Sequence, residues 1–471
     1  MMFRLALLAL TAATPALAAV THDDPRGLIP GTAPPVSALQ SPCGDVPARA
    51  LTLPDLVDIA LCRNPQTAVS WAGVRAAAAQ IGVAKAAGLP SANLSVGPTL
   101  SSSKSFRDTG FIDSNGNLVG GSSVLTQVNS SARLAVNYLI FDGGGRRAAI
   151  DSATAQQRAA LASYADAAQG VVLNVITAYN NLAANHAVEA ANLANLRFAT
   201  QSRDLATGRK RAGVATGADQ LQAETTYAQA ELTLIRTRGA IRTAAAQLAV
   251  AVGLPPTRAL DLAPTAPLAS GDLLKAGADA LIADAERLRP DIVAARANVD
   301  AAAADVRSAQ SLGRPSLSVS AANTVSAIDT AIDRNVASAG LSFSVPLFSG
   351  WNTRYQIAGA RARLEQQTAL AEQTRQQAGL NVYSNYVALD NALSSLATAR
   401  VLVRSATLSA ELAQGRYKAG VGTFADLLNA QSALASARQQ LAQAEYDVRT
   451  GNAQLARAVG SIGEAVDAER R

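Results

Sequence analysis

The chain contains the same long segment twice. Residues 212 to 252 read AGVATGADQLQAETTYAQAELTLIRTRGAIRTAAAQLAVAV, and residues 419 to 459 read AGVGTFADLLNAQSALASARQQLAQAEYDVRTGNAQLARAV. Equivalent positions differ by 207, as Gly420 and Gly213 do. A match of this length indicates a tandem duplication, so we expect each half to fold into the same supersecondary unit.

The first half carries an insertion. Phe348 and Phe141 differ by 207, but Pro315 and Pro90, further upstream, differ by 225. The first half therefore holds 18 extra residues (225 − 207) between Pro90 and Phe141. Residues 113–116 of this stretch read DSNG, which is typical of a turn.

Residues 1–18 have the features of an export signal. They contain a single cation at Arg4, an apolar run over residues 5–10, and small residues at Ala16 and Ala18. The apolar run is shorter than the roughly 20 residues that a spanning helix needs. No cysteine follows the expected cleavage site, which argues against a lipid-anchored amino terminus.

Few residues carry reactive chemistry. Cys43 and Cys62 are the only cysteines, and in an exported chain we expect them to form a disulfide, the alternative being two buried thiols. The two histidines, His22 and His186, stand apart and give little support for a metal site.

The net charge of +6 is scattered, which argues against nucleic-acid binding. We find no nucleophile, acid pair or phosphate loop, so we expect neither catalysis nor a cofactor.

Each half alternates between helix and strand patterns. Helix signals run from Leu51 past Pro65 to about Ala87, and end at the GLP of residues 88–90. Period-two runs then predict two short strands per half. Phe141 and Phe348 end the two hairpins, where we expect either a membrane interface or ordinary core packing.

Long helices follow each hairpin, predicted over roughly 142–207 and 349–415, which corresponds to about 95 Å. The last helix carries leucine or valine every seven residues, beside a seven-residue series of small residues. These residues are Leu427, Leu434, Leu441, Val448 and Leu455, with Ala430, Ala437, Ala444, Gly451 and Ala458 beside them. Heptads indicate coiled-coil packing, and the small residues favour helices tiled into a wall.

The predicted strands constrain the assembly. Four strands per chain cannot close a barrel, because about eight is the observed minimum. An open sheet would expose its edges, which lipid does not tolerate. Joining chains removes the edges, and three chains would give twelve strands and a lumen.

The whole mature chain resembles the TolC family of bacterial outer-membrane efflux and secretion channels. The resemblance rests on the doubled helix motif, RYKAGVGTFADLLNAQSAL from Arg416, LSFSVPLFSG from Leu341, and the proline-ended helices. It implies a mainly helical membrane protein: a homotrimer whose twelve-stranded transmembrane β-barrel continues into a long periplasmic α-helical barrel. It also implies a passive conduit in outer-membrane lipid that docks onto a periplasmic adaptor and an inner-membrane ABC or proton-driven transporter.

The resemblance further implies a periplasmic gate. The positions that match the family's gate are Asp426, Tyr417 and, in the other half, Ala218 and Asp219. The chain departs from the family archetype at Asn429, which replaces an aspartate, and at Gly422, which replaces a linking arginine. A ring of Asp426 would still favour cations. The alternative for Asp219 and Asp426 is an acid that stabilises a helix N-terminus.

The sequence is compatible with three classes of function. The favoured one is the channel of an ABC-driven type I protein secretion system, for instance for a repeat toxin, with multidrug or metal efflux as the alternative. A structural or adhesive trimeric coiled coil would carry a single strand-bearing anchor, whereas these hairpins occur in both halves. A soluble periplasmic adaptor would carry a single helical hairpin flanked by β domains.

The predicted organisation is as follows. A signal peptide (1–18) and an irregular leader (19–50) precede a first structural repeat (51–255) with a β-hairpin at about 91–140. A linker (256–272) leads to a second repeat (273–463) with a hairpin at about 315–347, followed by a tail (464–471).

Overall fold

The computed structural model describes residues 49–106, 111–112, 114–116, 118–119, 122–263, 272–328, 331–463 and 466. The predicted signal peptide, most of the leader, Cys43 and most of the tail lie outside these residues, as does half of the predicted linker.

The first half comprises α1 (Leu53–Arg63), α2 (Pro65–Ala86), β1 (Ser91–Phe106), β2 (Phe111–Ile112), β3 (Leu118–Val119), β4 (Ser122–Phe141), α3 (Gly145–Arg211) and α4 (Gly217–Ala251). The second comprises a short 3-10 helix (Asp272–Ala276), α5 (Ala278–Leu288), α6 (Pro290–Ser311), β5 (Ser316–Ile328), β6 (Ala331–Ser344), α7 (Asn352–Lys418) and α8 (Phe424–Val459). The starts of α3 and α7 differ by 207 and those of α1 and α5 by 225, so both sequence offsets hold in the structure.

Proline positions divide the first predicted helix of each half. The sequence predicts one helix running past Pro65, but α1 ends at Arg63 and Pro65 begins α2. Proline fits the first turn of a helix, where its missing N–H is not needed, and it restricts the residue before it to extended backbone. Asn64 has that conformation, with φ −69° and ψ 128°, and its side chain caps α2. Pro290 begins α6 in the same way.

The four long strands form one antiparallel sheet in the order β1-β4-β5-β6. The small β2–β3 pair flanks the turn at residues 114–116 inside the insertion. One face of the sheet is apolar, as in the cross-strand pairs Leu94–Leu134 and Leu317–Phe343, and these residues alternate with serine, asparagine and arginine. Strands that alternate in this way are typical of barrels with a lipid-facing exterior and a polar lumen.

The helices α3 and α7 each have 67 residues, which corresponds to about 100 Å. Each folds back on its successor, α3 on α4 and α7 on α8, and α3 also packs along α8. Leu427, Leu434, Val448 and Leu455 of the heptad series are buried, and a Cβ on Gly451 would lie 3.3 Å from Leu389 Cδ1. The small-residue series therefore permits close helix approach, as the sequence predicts.

Two apolar cores lie where the short helices meet the long ones. The first joins α1, α3, α4 and α8, and the second joins α5, α7 and α8. Gly253, with φ 85°, follows α4 and touches the α1–α2 junction, where an added Cβ would lie 2.8 Å from the Arg63 backbone. Among the described helices, α3 alone is long and apolar enough to cross a membrane by length and composition. Its residues at 171–182 contribute to the first core.

Candidate functional site

The two long hairpins end in matching turns, which together we call the helical tip (residues 205–224 and 412–431). Gly213, with φ 75°, and Gly420, with φ 78°, adopt left-handed backbone in these turns. Each turn then ends at a threonine N-cap. The tip holds all five residues of the predicted gate: Tyr417, Ala218, Asp219, Asp426 and Asn429.

Both predicted gate aspartates cap helices. The Thr423 hydroxyl accepts the Asp426 backbone N–H at 3.1 Å, and the Asp426 carboxylate accepts the Thr423 N–H at 3.3 Å. Thr216 and Asp219 form the same reciprocal box on α4, at 3.2 and 3.1 Å. The helix-capping role is therefore present in the structure. It does not exclude a second role, because a capping carboxylate keeps its charge.

Asp426 is exposed and anionic at neutral pH. Hydrogen bonds to the Thr423 side chain and backbone lower the pKa of Asp426, and the nearby Arg416 guanidinium adds to the shift. Asp426 lines a groove of about 430 Å³ between α7 and α8, together with Arg416 and Asn429. Ala218 and Asn429 are both exposed.

Tyr417 is the most enclosed of the predicted gate residues, with 4% of its surface exposed. Its ring packs 5.4 Å from that of Phe424, and the Arg209 guanidinium carbon lies 4.7 Å from its centroid. Arg209 Nη1 also donates to the Tyr417 carbonyl oxygen at 2.7 Å. Burial raises the pKa of the Tyr417 phenol, with the Asp219 charge adding to this and the Arg209 charge opposing it.

Arg209 therefore joins α3 to the end of α7, a contact that the sequence reasoning missed. Its only sequence signal is its place in the basic last turn of α3, beside Lys210 and Arg211. Phe424 and Leu428 add an apolar contact in the same place, packing with Ala206 of α3. We call this set of contacts between the hairpins of one chain the internal seam.

The predicted membrane-interface residues lie where the sheet meets the long helices. Phe141 ends β4 and is 51% exposed, and Phe348 follows β6 and is 77% exposed. Trp351, which the sequence reasoning did not single out, packs edge-on to Phe348 at 6.0 Å between ring centroids. It is 57% exposed and has φ 66°, the only positive φ of a non-glycine residue among those described. An interfacial role for these rings stays a prediction.

Cys62 lies in α1 and is disulfide-bonded. Its predicted partner, Cys43, lies outside the described residues, so the pairing itself stays a prediction.

Comparisons with known proteins agree with this architecture. The family described as outer membrane efflux protein matches residues 56–254 and 281–461. The protein CyaE of Bordetella pertussis is 31% identical over 419 residues, covering 88% of this chain and 85% of CyaE. The alkaline protease secretion protein AprF of Pseudomonas aeruginosa is 31% identical over 128 residues, about 27% of each chain.

Among solved structures, the outer-membrane channel OprN superposes with a TM-score of 0.74 and 23% identity. The match covers 87% of this chain and 90% of OprN. At this identity the likeness establishes the fold: a TolC-like channel of helical and β-barrel parts. Because the family match covers both repeats, the chain belongs to the outer membrane efflux protein family, and it is an outer-membrane channel that extends into the periplasm.

Proposed function

We propose that the protein is the passive conduit of a tripartite type I secretion system. In this role a homotrimer carries a protein cargo from an inner-membrane ABC transporter, through a periplasmic adaptor, to the cell exterior. The observation that carries the conduit is the joining of an open-edged four-stranded sheet to helices of about 100 Å within each repeat. Three copies of that unit would line one continuous passage.

Protein cargo is favoured by the similarity to AprF, an alkaline protease secretion protein. Efflux of drugs or metals is the second candidate, favoured by membership of the outer membrane efflux protein family. Both use the same conduit, so they differ in the inner-membrane partner. A deletion strain separates them: loss of one protein from the culture supernatant supports secretion, whereas unchanged secretion with greater drug or metal sensitivity supports efflux.

We further propose that Asp426 contributes to a periplasmic gate. Its support is its charge, its exposure and its place in the α7–α8 groove at the free end of the long helices. Three copies would place three such carboxylates around one axis, which raises the local concentration of cations. Asp219 lies at the same tip, where its charge raises the pKa of the buried Tyr417 phenol.

Single-channel recording of the detergent-purified oligomer in a planar bilayer, with its mass measured alongside, tests the conduit. We expect a trimer that forms a cation-selective pore. A monomer that remains soluble without detergent would refute the proposal. A trimer that conducts no ions even when cross-links hold its tip open would also refute the proposal.

A further inference from the structure

The first hairpin of the sheet extends further than the second at the end remote from the helices. Strands β1 and β4 stay paired to their outer ends, whereas β5 ends at Ile328, which lies opposite Asn129 of β4. The segments 101–106 of β1 and 122–127 of β4 therefore continue beyond the second hairpin. We call these two segments the outer ribbon, which has a length of about 20 Å.

The outer ribbon lies beyond the apolar band of the sheet. Strand β5 alone has 13 residues, more than the roughly 9–11 that a transmembrane β-strand needs. On the lipid-facing side, Leu100–Val128 is the last cross-strand pair of two apolar residues. The next pair on that side is Ser102–Thr126, whose hydroxyl oxygens lie 3.2 Å apart. The helices leave the sheet at its opposite end, so the ribbon stands on the exterior side of the membrane.

The ladder determines which backbone groups of β4 face away from β1. Ile328 and Ala331 flank a two-residue turn and must bond to each other, so the backbone groups of Ile328 face β6. Successive pairs of an antiparallel ladder alternate, so Asn129, opposite Ile328, directs its N–H and C=O towards β1. Gln127, two residues along, also faces β1, whereas the N–H and C=O of Thr126 face away from it.

The side of β4 that faces away from β1 is open in the ribbon. Among the described residues, no strand pairs with residues 122–127 on this side, which we call the free edge. Edge strands commonly carry a charge or a proline that prevents further pairing. Strand β1 has Lys104 and Pro98, whereas residues 122–132 of β4, SSVLTQVNSSA, contain neither kind of residue. The free edge is therefore suited to pairing with another extended chain.

We propose that the free edge pairs with an extended segment of the exported polypeptide as this chain leaves the lumen. The inference rests on the proposed function, because it takes a protein as the cargo. An extended polypeptide is the class of partner whose alternating N–H and C=O groups match those of an edge strand. The occupant is thus defined by its conformation, and its side chains contribute little.

The polar face of the sheet leads from the lumen to the free edge. Ser101 and Asn129 lie on this face, where the Asn129 amide donates to the Ser101 hydroxyl at 2.9 Å. An exported chain that leaves along this face reaches the ribbon while it is still extended. Pairing there would hold the first segment outside while the rest of the chain follows, which opposes its return into the lumen.

The pairing is weak enough to be released. The free edge offers the N–H and C=O groups of Thr126 and of every second residue before it in the ribbon. Each hydrogen bond contributes little net free energy, because the same groups bond to water when they are unpaired. The exported chain therefore leaves the edge without a separate release step once its own folding competes.

A synthetic peptide tests the free edge on the detergent-purified protein. The probe is a short fluorescein-labelled peptide of alternating threonine and valine, and its binding is read from fluorescence anisotropy. The control probe has the same side chains but is methylated at every backbone nitrogen, which removes its donors. We expect the first probe to bind saturably and to slow amide exchange in residues 122–127. Equal binding of the two probes, or no binding of the first, would overturn the inference.

Two proline variants separate the two edges of the ribbon. Thr126→Pro and Ser102→Pro remove the same hydroxyl contact, because these residues are cross-strand partners. Their N–H groups point to opposite edges, so neither change breaks the β1–β4 ladder. We expect Thr126→Pro to weaken binding of the probe about tenfold or more, and Ser102→Pro to change it by less than about twofold. Equal effects of the two variants would overturn the assignment to the free edge.

A lysine pair guards against misfolding of the proline variants. Thr126→Lys adds a charge beside the free edge without removing an N–H, and it should weaken binding of the probe more than Ser102→Lys does. The mass of the purified oligomer is measured for every variant. Assemblies of several trimers that disappear in Thr126→Pro would assign the free edge to a second copy and overturn the inference.

Secretion in cells distinguishes this inference from the proposed function. We expect Thr126→Pro to slow the appearance of the cargo in the culture supernatant, and Ser102→Pro to leave it unchanged. Normal secretion by a deletion strain would overturn both proposals. Lost secretion in the deletion strain, together with equal secretion by the two proline variants, would overturn this inference alone.

Discussion

Replacing Arg209 by methionine should loosen the helical tip without unfolding the chain. Methionine keeps the length and apolar contacts of the arginine stem but removes the charge and all donors. The wild-type guanidinium donates to the Tyr417 carbonyl at 2.7 Å and lies over the Tyr417 ring. That carbonyl belongs to the last turn of α7, where it also accepts the Gly420 backbone N–H at 3.1 Å.

The magnitude follows from these two contacts. A hydrogen bond from a charged donor contributes about 1.5–3 kcal/mol, and a partly exposed cation–π contact about 0.5–1 kcal/mol. Methionine regains part of this through its packing, so we take a net loss of about 2 kcal/mol per chain at the tip. This corresponds to a roughly thirtyfold increase in the local opening constant.

Amide hydrogen exchange of the detergent-purified protein measures this opening directly. Peptides from the tip should exchange faster in the Arg209→Met variant, and peptides from the α1–α4 core should not change. Arg211→Met is the matched control, because Arg211 is exposed in the same helical turn. Equal exchange in the two variants, or faster exchange throughout the chain, would refute a local role for Arg209.

Three further outcomes are expected. Asp426→Asn should lower cation selectivity in bilayer recordings. Because the pKa of Asp426 is lowered, the cation selectivity of the wild type should persist through mildly acidic pH and fall only below the usual carboxylate range. Loss of wild-type selectivity near pH 6 would contradict this expectation. Gly253→Ala should destabilise the protein by roughly 2 kcal/mol and so lower its melting temperature, because alanine would be strained in this left-handed backbone and its Cβ would be too close to the α1–α2 junction. Gly73→Ala is the control and should not lower the melting temperature, because Gly73 lies in open space on α2. Cys43 and Cys62 should resist thiol labelling in the denatured, unreduced protein, and labelling of both would exclude their disulfide.

The features that repeat along the sequence were predictable. The two offsets, the hairpin of each half and the heptads of α8 all occur in the structure, because periodicity and proline positions act locally. The long helices begin and end about three residues later than predicted, at Gly145–Arg211 and Asn352–Lys418. The glycines at 143 and 144 have positive φ, which delays the start of α3 while Asp142 accepts the N–H groups of Gly144 and Arg146.

The contacts between distant segments were not predictable in the same way. Arg209 and Tyr417 are 208 positions apart, and nothing in the basic end of α3 distinguishes Arg209 from the residues beside it. Trp351 takes a left-handed conformation that is unusual for its residue type. Such features depend on which faces meet in space, and a sequence pattern gives only the period of a face.

At the tip, the two halves have the same residues at the positions that form each hairpin's own turn. The glycine with positive φ, the threonine cap and the aspartate of the capping box occur in both, because every long hairpin must reverse and restart a helix. They differ where a residue faces the neighbouring hairpin: Phe424 matches Gly217, and Tyr417 matches Lys210. A perfect repeat would make all seams of the assembly equally strong. The observed differences instead give the aromatic packing and the Arg209 hydrogen bond to the seam between the two hairpins of one chain, which holds these hairpins together at the tip.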